Sequence, residues 1–121
     1  MKRIGRTLAV LGAGGHGRVV ADCADALGWP DICLFDDNPP AIASTSWPVV
    51  GSGSSLIESV ADFDGVVVGI GQSSVRLAWH RRLAANGAQM ISLVHPNASV
   101  SRRAKLGSGT VVFAGAVINI G

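Results

Sequence analysis

The sequence predicts an α/β fold: a small parallel sheet flanked by helices, followed by the start of a hexapeptide-repeat β-helix. Three observations carry this prediction. An apolar run at residues 7–11 ends in Gly12, Gly14 and Gly17, which have the spacing G-x-G-x-x-G, and a helical pattern follows them. Apolar runs and helix-spaced patterns then alternate as far as Val94, the order of a parallel sheet with right-handed crossovers. From Val100 onward the pattern changes to a period of six.

Residues 7–11, TLAVL, form the first predicted strand; continuous rather than alternating apolar character suits a parallel sheet covered on both faces. The glycines that follow have a steric reason. A Cβ there would obstruct the tight turn and hold the backbone away from a phosphate. The amides that open the next helix would face a pyrophosphate, and the helix dipole favours its charge. Without a ligand the same spacing is only a glycine-rich strand-to-helix turn. His16 is the odd side chain in this stretch, either a ligand contact or a satisfied structural ring. Val19, Val20, Cys23, Ala24 and Leu27 recur at helical spacing over residues 16–27, with Gly28 as the stop and Pro30 forbidding continuation.

Residues 32–35 are the second predicted strand, and they run into Asp36, Asp37 and an Asn-Pro-Pro turn. Asp36 follows Gly17 near the offset, about 20 residues, at which dinucleotide folds place a ribose-binding carboxylate. The alternative is that the two acids simply start the turn. Residues 41–47 read as a polar loop and 48–51 as a short edge strand with Pro48 at its first position. Ser54 or Ser55 is expected to cap a helix over 56–61, with Glu58 at capping-box distance from Ser55. Residues 66–70, VVVGI, are a strand. A helix opens after Gly71, Gln72, Ser73 and Ser74, reads as amphipathic through Val75, Leu77, Ala78, Leu83 and Ala84, and stops at Asn86-Gly87. This second strand-to-helix junction lies on the ligand-binding side of such a sheet, so Gln72, Ser73 and Arg76 are candidates to meet the ligand of the first loop. Residues 90–94 are the last predicted strand, and His95-Pro96-Asn97 ends the unit.

Beyond it, aliphatic residues fall at Val100, Leu106, Val112 and Ile118, and small ones four places later at Ala104, Thr110 and Ala116. In a hexapeptide β-helix the aliphatic side chain points into a triangular prism and the small residue fits the corner. Three hexapeptides make about one coil, and a single coil cannot bury its own core, so the sequence is expected to be part of a longer protein. The expected division is residues 1–97 and 98–121.

Composition narrows the function classes. A net charge of +2 is too small for a nucleic-acid surface, and Arg102, Arg103 and Lys105, the tightest basic cluster, read as a solvated face. Aromatic residues are 5% of the chain, too few for base-stacking platforms. Cys23 and Cys33 have no neighbours at metal spacing and read as buried hydrophobes. No apolar stretch reaches membrane-spanning length, and the basic start precedes only a short apolar run, so a cytoplasmic location is expected.

The Gly12-Ala13-Gly14-Gly15-His16-Gly17 loop, the Asp36-Asp37 pair, the Gly69-Ile70-Gly71-Gln72 junction, the Val94-His95-Pro96 exit and the hexapeptides occur in one order. That order resembles the bacterial sugar O-acyltransferases of the sialic acid O-acetyltransferase (NeuD-like) type, close to the PglD-like amino-sugar N-acetyltransferases, over the whole chain. The resemblance implies a Rossmann-like domain that holds a nucleotide-activated sugar acceptor rather than NAD. It implies acetyl-CoA lying along a left-handed β-helix, in a homotrimer with sites between subunits. It places Gly14, Gly15 and His16 at the phosphates and sugar, Asp36 and Asp37 at the nucleoside, and Gly71 and Gln72 on the second wall. The family's general base is a histidine of the β-helix. Neither His80 nor His95 matches its position, so that base is expected beyond Gly121, and residues 1–121 alone are expected to bind no acetyl-CoA and transfer no acetyl group. The other readings are a fragment of an NAD-dependent oxidoreductase, suggested by the glycine motif with Asp36, and a non-catalytic nucleotide-sensing domain.

Overall fold

The computed structural model describes residues 6–39, 46–96, 99–100, 111–112 and 117–118. Its centre is a four-stranded parallel sheet. Strand β1 (Thr7–Leu11) leads through helix α1 (Gly15–Ala26) to β2 (Asp31–Phe35), then to the short β3 (Val49–Gly51). Helix α2 (Gly53–Glu58) and a 3₁₀ turn at Val60–Asp62 lead to β4 (Gly65–Val68), and α3 (Ser73–Ala85) follows. The strand order is β3-β2-β1-β4, so β1 is central and pairs in parallel with β2 and β4. The chain builds outward from β1 in one direction and then returns to its other side. The crevice between the β1 and β4 exits is therefore the switch point at which sheets of this kind take ligands.

The apolar β1 run fills two cores. Leu8 and Val10 pack with Val20, Ala24, Leu34 and Val67 on the α1 face, with Trp29 closing that core. Ala9 and Leu11 pack with Phe35, Leu56, Val66 and Leu83 on the α2 and α3 face. A strand with helices on both sides has no solvent-facing side, which is why the alternation of an exposed strand is missing. At the foot of the sheet Thr7 N–H donates to Asp64 Oδ2 at 2.8 Å, and Asp64 N–H donates to Thr7 O at 2.9 Å.

Several local expectations are corrected. Helix α2 is capped by Ser52, not by Ser54 or Ser55. The Ser52 hydroxyl accepts from Ser55 N–H, and Ser55 Oγ accepts from Ser52 N–H at 2.8 Å, so a serine does the reach-back that Glu58 was expected to perform. Strand β4 ends at Val68, two residues short of the expected end; Gly69 N–H still donates to Leu11 O at 2.8 Å, the last rung of the β1 ladder. In α1 the apolar stripe is narrower than the spacing suggests, and Val19 is 51% exposed. In α3 only Leu83 is fully buried, and Leu77 is 48% exposed. The half-buried Trp79, with Arg82 stacked 4.9 Å from its ring centroid, supplies much of that helix's apolar contact.

The predicted strand at 90–94 divides. Met90 makes a single parallel bridge to Val66 and extends the sheet no further. Leu93–Val94 (β5) instead pairs in parallel with Val111–Val112 (β7), and Ser99–Val100 (β6) pairs in parallel with Val117–Ile118 (β8). The partners are Leu93↔Val111 and Ser99↔Val117, so both ladders share one interval, equal to three hexapeptides. Residues 101–110, 113–116 and 119–121, with most of the hexapeptide pattern and the Arg102, Arg103 and Lys105 cluster, lie outside the described residues, as does most of the 41–47 loop.

Backbone contact between glycines closes the turn after β1. Gly12 has φ +128°, and a Cβ on it would strike the Gly69 carbonyl. A Cβ on Gly17 would strike the Gly12 carbonyl, and one on Gly69 would come within 2.8 Å of Gly17 Cα. Alanine in an ordinary helix stabilises relative to glycine by about 0.5–1 kcal/mol. Gly17→Ala should do the reverse and cost about 1–3 kcal/mol, since both clashing partners are backbone. Chemical denaturation of the variant checks this, and an unchanged midpoint would contradict it. Burial, then the nearby Asp22 carboxylate, push the Cys23 thiol up from its ordinary value. Because the folded state holds that proton more tightly, its contribution to stability is intact below the unfolded thiol pKa, about 8.5, and is lost as the pH rises above it. Native Cys23 should therefore react with a thiol reagent at pH 8 at least tenfold more slowly than in the unfolded chain, read by absorbance.

Candidate nucleotide-binding cleft

The glycine loop, the end of β2 and the exit of β4 meet at the C-terminal edge of the sheet. They enclose an open cleft of about 300 Å³ lined by Leu11, Gly12, Asp36, Asp37, Ile70, Val75 and Trp79. The candidate residues divide into those that build this cleft and those that face its mouth.

Gly12 and Gly17 belong to the first group, through the backbone contacts described above. Asp36 does as well. Its Oδ2 accepts from Ala13 N–H at 2.8 Å and its Oδ1 from Asn38 N–H at 2.8 Å. One oxygen holds the centre of the glycine loop and the other closes the turn after β2. The carboxylate thus performs the turn-starting role that the sequence left open, and adds a tie across 23 residues of chain to the loop. Asp37 Oδ1 accepts from Gly53 N–H at 2.8 Å, at the first residue of α2. Among the described residues nothing donates to Asp37 Oδ2.

Gly14 and Gly15 belong to the second group. Both are exposed, and a Cβ on either would meet nothing within 4 Å. Gly14 is the N-cap of α1, without a side-chain capping bond and with no acid in the first turn. The positive end of that helix is therefore offset neither by a side-chain cap nor by an acid of its own first turn; the nearest carboxylate is Asp36, on Ala13 N–H. His16 is half-buried, and a Cβ on Gly71 would lie 3.9 Å from His16 Cβ, so the two loops meet at this point. Gln72 is the N-cap of α3; it, Gly71 and Ser73 are exposed. Arg76 folds back onto its own loop. Nη1 donates to Ile70 O and Gly71 O, each at 3.2 Å, and Nη2 lies 3.4 Å from Ser73 Oγ.

Ile70, Val75 and Trp79 are cleft residues that the motif reading missed. Val75 and Trp79 are four apart on α3 and therefore share a face, which is the available signal: an aliphatic and an aromatic residue on one side of the helix after the second glycine junction. Among the described residues no group of three or more His, Cys, Asp or Glu is placed to hold a metal ion, and no helix is long and apolar enough to cross a membrane. The cleft itself presents the Asp36 and Asp37 carboxylates and an apolar wall of Leu11, Ile70, Val75 and Trp79, with the exposed glycines at the start of α1 following Gly12 in the chain.

The PglD N-terminal domain profile matches residues 7–83. A curated UDP-N-acetylbacillosamine N-acetyltransferase of Bacillus subtilis (strain 168) is 30% identical over 112 residues, 90% of this chain and 52% of that protein. The acetyltransferase domain of PglB from Neisseria gonorrhoeae FA1090, solved with acetyl coenzyme A, superposes with a TM-score of 0.82 at 40% identity. That match covers 91% of this chain and 54% of the other. PerB from Caulobacter crescentus, solved with CoA and GDP-perosamine, superposes with a TM-score of 0.84 at 31% identity, covering 98% of this chain and 56% of PerB. The chain thus spans about half the length of the relatives it matches.

The bonds of Asp36 carry a stability consequence that needs no ligand. Asp36→Ala leaves two backbone N–H groups without their acceptor, one of them on the buried Ala13, and should cost about 1–3 kcal/mol. Urea unfolding of the ligand-free protein is the check. A variant as stable as the parent would show that the loop is held by other means.

Proposed function

The chain belongs to the family of the PglD N-terminal domain, and on that basis we propose that it is the acceptor-binding part of an acetyl-CoA-dependent acetyltransferase acting on a nucleotide-activated amino sugar. The observation that carries this reading is the state of the glycine loop. A Cβ on Gly14 or Gly15 would meet nothing within 4 Å, while one on Gly12 or Gly17 would strike backbone. The fold accounts for the second pair, and the close approach of a ligand's phosphates accounts for the first.

In this reading the diphosphate lies on the amides that open α1, with His16 and Gly71 toward the sugar. The nucleoside enters the cleft between Asp37 and the wall of Ile70, Val75 and Trp79. Gln72 and Ser73 line the rim. An oxidoreductase is disfavoured by the match to the PglD N-terminal domain over residues 7–83; the backbone bonds of Asp36 weigh equally on the ribose role of that reading and on the nucleoside role expected of Asp36 here. The shared interval of the two ladders supports a β-helix of three hexapeptides per coil whose first rung, Leu93↔Val111, lies ahead of the division at 97/98 expected from the sequence. Acetyl-CoA, a catalytic histidine acting as general base on the acceptor amine, and a homotrimeric cytoplasmic assembly belong to the same proposal, with the base outside residues 1–121.

Calorimetry of the 121-residue chain with UDP- and GDP-amino sugars and with NAD tests the reading. A nucleotide sugar should bind and NAD should not; tight NAD binding with no response to nucleotide sugars would overturn it. Gly14→Ala should weaken the nucleotide sugar roughly tenfold, about 1.4 kcal/mol, with little change in melting temperature. Unchanged affinity in that variant would remove the phosphates from the loop.

A further inference from the structure

Arg76 stands where a cation is normally read as a phosphate contact, in the first turn of α3 beside the mouth of the cleft. Its hydrogen bonds point elsewhere. Two bonds from the guanidinium go to the loop that precedes the helix, at Ile70 O and Gly71 O, and a third goes to Ser73 Oγ at the first residue of α3. A cation in the first turn opposes the helix dipole, and α3 has no acid in that turn to offset it. The two loop carbonyls supply the missing negative partial charge. The side chain is half-buried; its bond to Ile70 O is partly withdrawn from water, while those to Gly71 O and Ser73 Oγ are exposed.

The gripped loop has two ligand-facing ends. Ile70 is part of the cleft wall, and Gly71 backs onto His16. Gly69, immediately before it, is locked against Gly17 and donates to Leu11 O. Between Gly69 and the start of α3, Arg76 is therefore the side chain that fixes the path of the chain. A guanidinium suits this task because its rigid planar fork carries donors on two nitrogens, Nη1 for the two carbonyls and Nη2 for Ser73 Oγ, whereas lysine presents one flexibly held nitrogen.

We propose that Arg76 is a positioning residue for acceptor binding: it sets the Ile70-Gly71 loop, and through it the cleft wall and the seat of His16, without itself contacting the phosphates. The proposal rests on the reading that this cleft takes a nucleotide sugar. It separates shape from charge, because Arg76→Lys keeps the charge and loses the fork while Arg76→Gln loses both.

The test combines two measurements on the 121-residue chain and these two variants. Amide hydrogen exchange without ligand should show the hydrogen-bonded amides that bound this loop, those of Gly69 and of residue 76, exchanging at least tenfold faster in both variants, with β1 and α1 unchanged. Titration with UMP, UDP, GMP and GDP should show Arg76→Lys losing affinity about as much as Arg76→Gln, roughly tenfold, as for the loss of one hydrogen bond to a charged group. The loss should be equal for mono- and diphosphates, with an unchanged dependence on salt. Full rescue by lysine, with a loss that grows from mono- to diphosphate and a shallower salt dependence, would identify a phosphate contact and overturn the proposal. Unchanged loop exchange in Arg76→Gln would overturn it too, even if the parent protein bound none of the four nucleotides, a result that would count separately against the nucleotide reading.

Discussion

The structure depends on the contact of three backbones that carry no side chains. Gly12, Gly17 and Gly69 come from the end of β1, the first turn of α1 and the end of β4, and each fills the space in which another's Cβ would stand. Their contact sets how closely α1 approaches the sheet and how closely the β4 exit approaches the glycine loop. The width of the crevice at the switch point follows from that distance. Side-chain packing in the two cores stabilises the layers, but the spacing of the cleft's walls is determined by main chain against main chain, which yields much less than a rotamer does.

Around this contact, the polar groups nearest the cleft are engaged with the protein's own backbone. Asp36 holds the glycine loop, Asp37 holds the start of α2, and Arg76 holds the loop before α3. Each of the three joins one wall of the cleft to the next element. Gly14 and Gly15 are left exposed, with open space where a Cβ would stand. On the proposed reading the phosphates are met by main-chain dipoles fixed in advance, while the side chains of Asp37, Ile70, Val75 and Trp79 shape the rest of the cleft.

The fold was legible where its causes are local. Apolar runs marked β1, β2 and β4, Gly28 and Gly87 marked helix ends with φ near +90°, and the glycine spacing marked the turn. The ligand-facing loops were legible too, because strand-to-helix junctions of a parallel sheet share one edge. Other features depended on long-range geometry. Asp36 reads equally well as a ligand contact or as a turn former until Ala13 is seen beside it. The Ser52 cap was hidden by better-looking serines at 54 and 55, and Trp79 gained its place only once Gly53 was found against its ring. The division of the 90–94 segment was invisible for the same reason, since the partner of β5 is β7, a full interval ahead in the chain, rather than a strand of the sheet.

That interval, from Leu93 to Val111 and again from Ser99 to Val117, works as a ruler. Parallel strands stack about 4.8 Å apart, so each interval of chain advances the backbone by one such step along the ladder axis. In the proposed β-helix, height along the ladder axis is counted along the sequence rather than set by flexible spacers. Two positions separated by whole intervals sit one above another, and lengthening the chain by a full interval displaces everything beyond it by a single step without rotating it. A gain or loss of one residue between Val94 and Val111 has a different effect: it turns all that follows around the axis relative to the cleft. Evolution of such a chain should therefore tolerate whole-interval changes in length and bulges that loop outward, and should resist single-residue slips within the ladders.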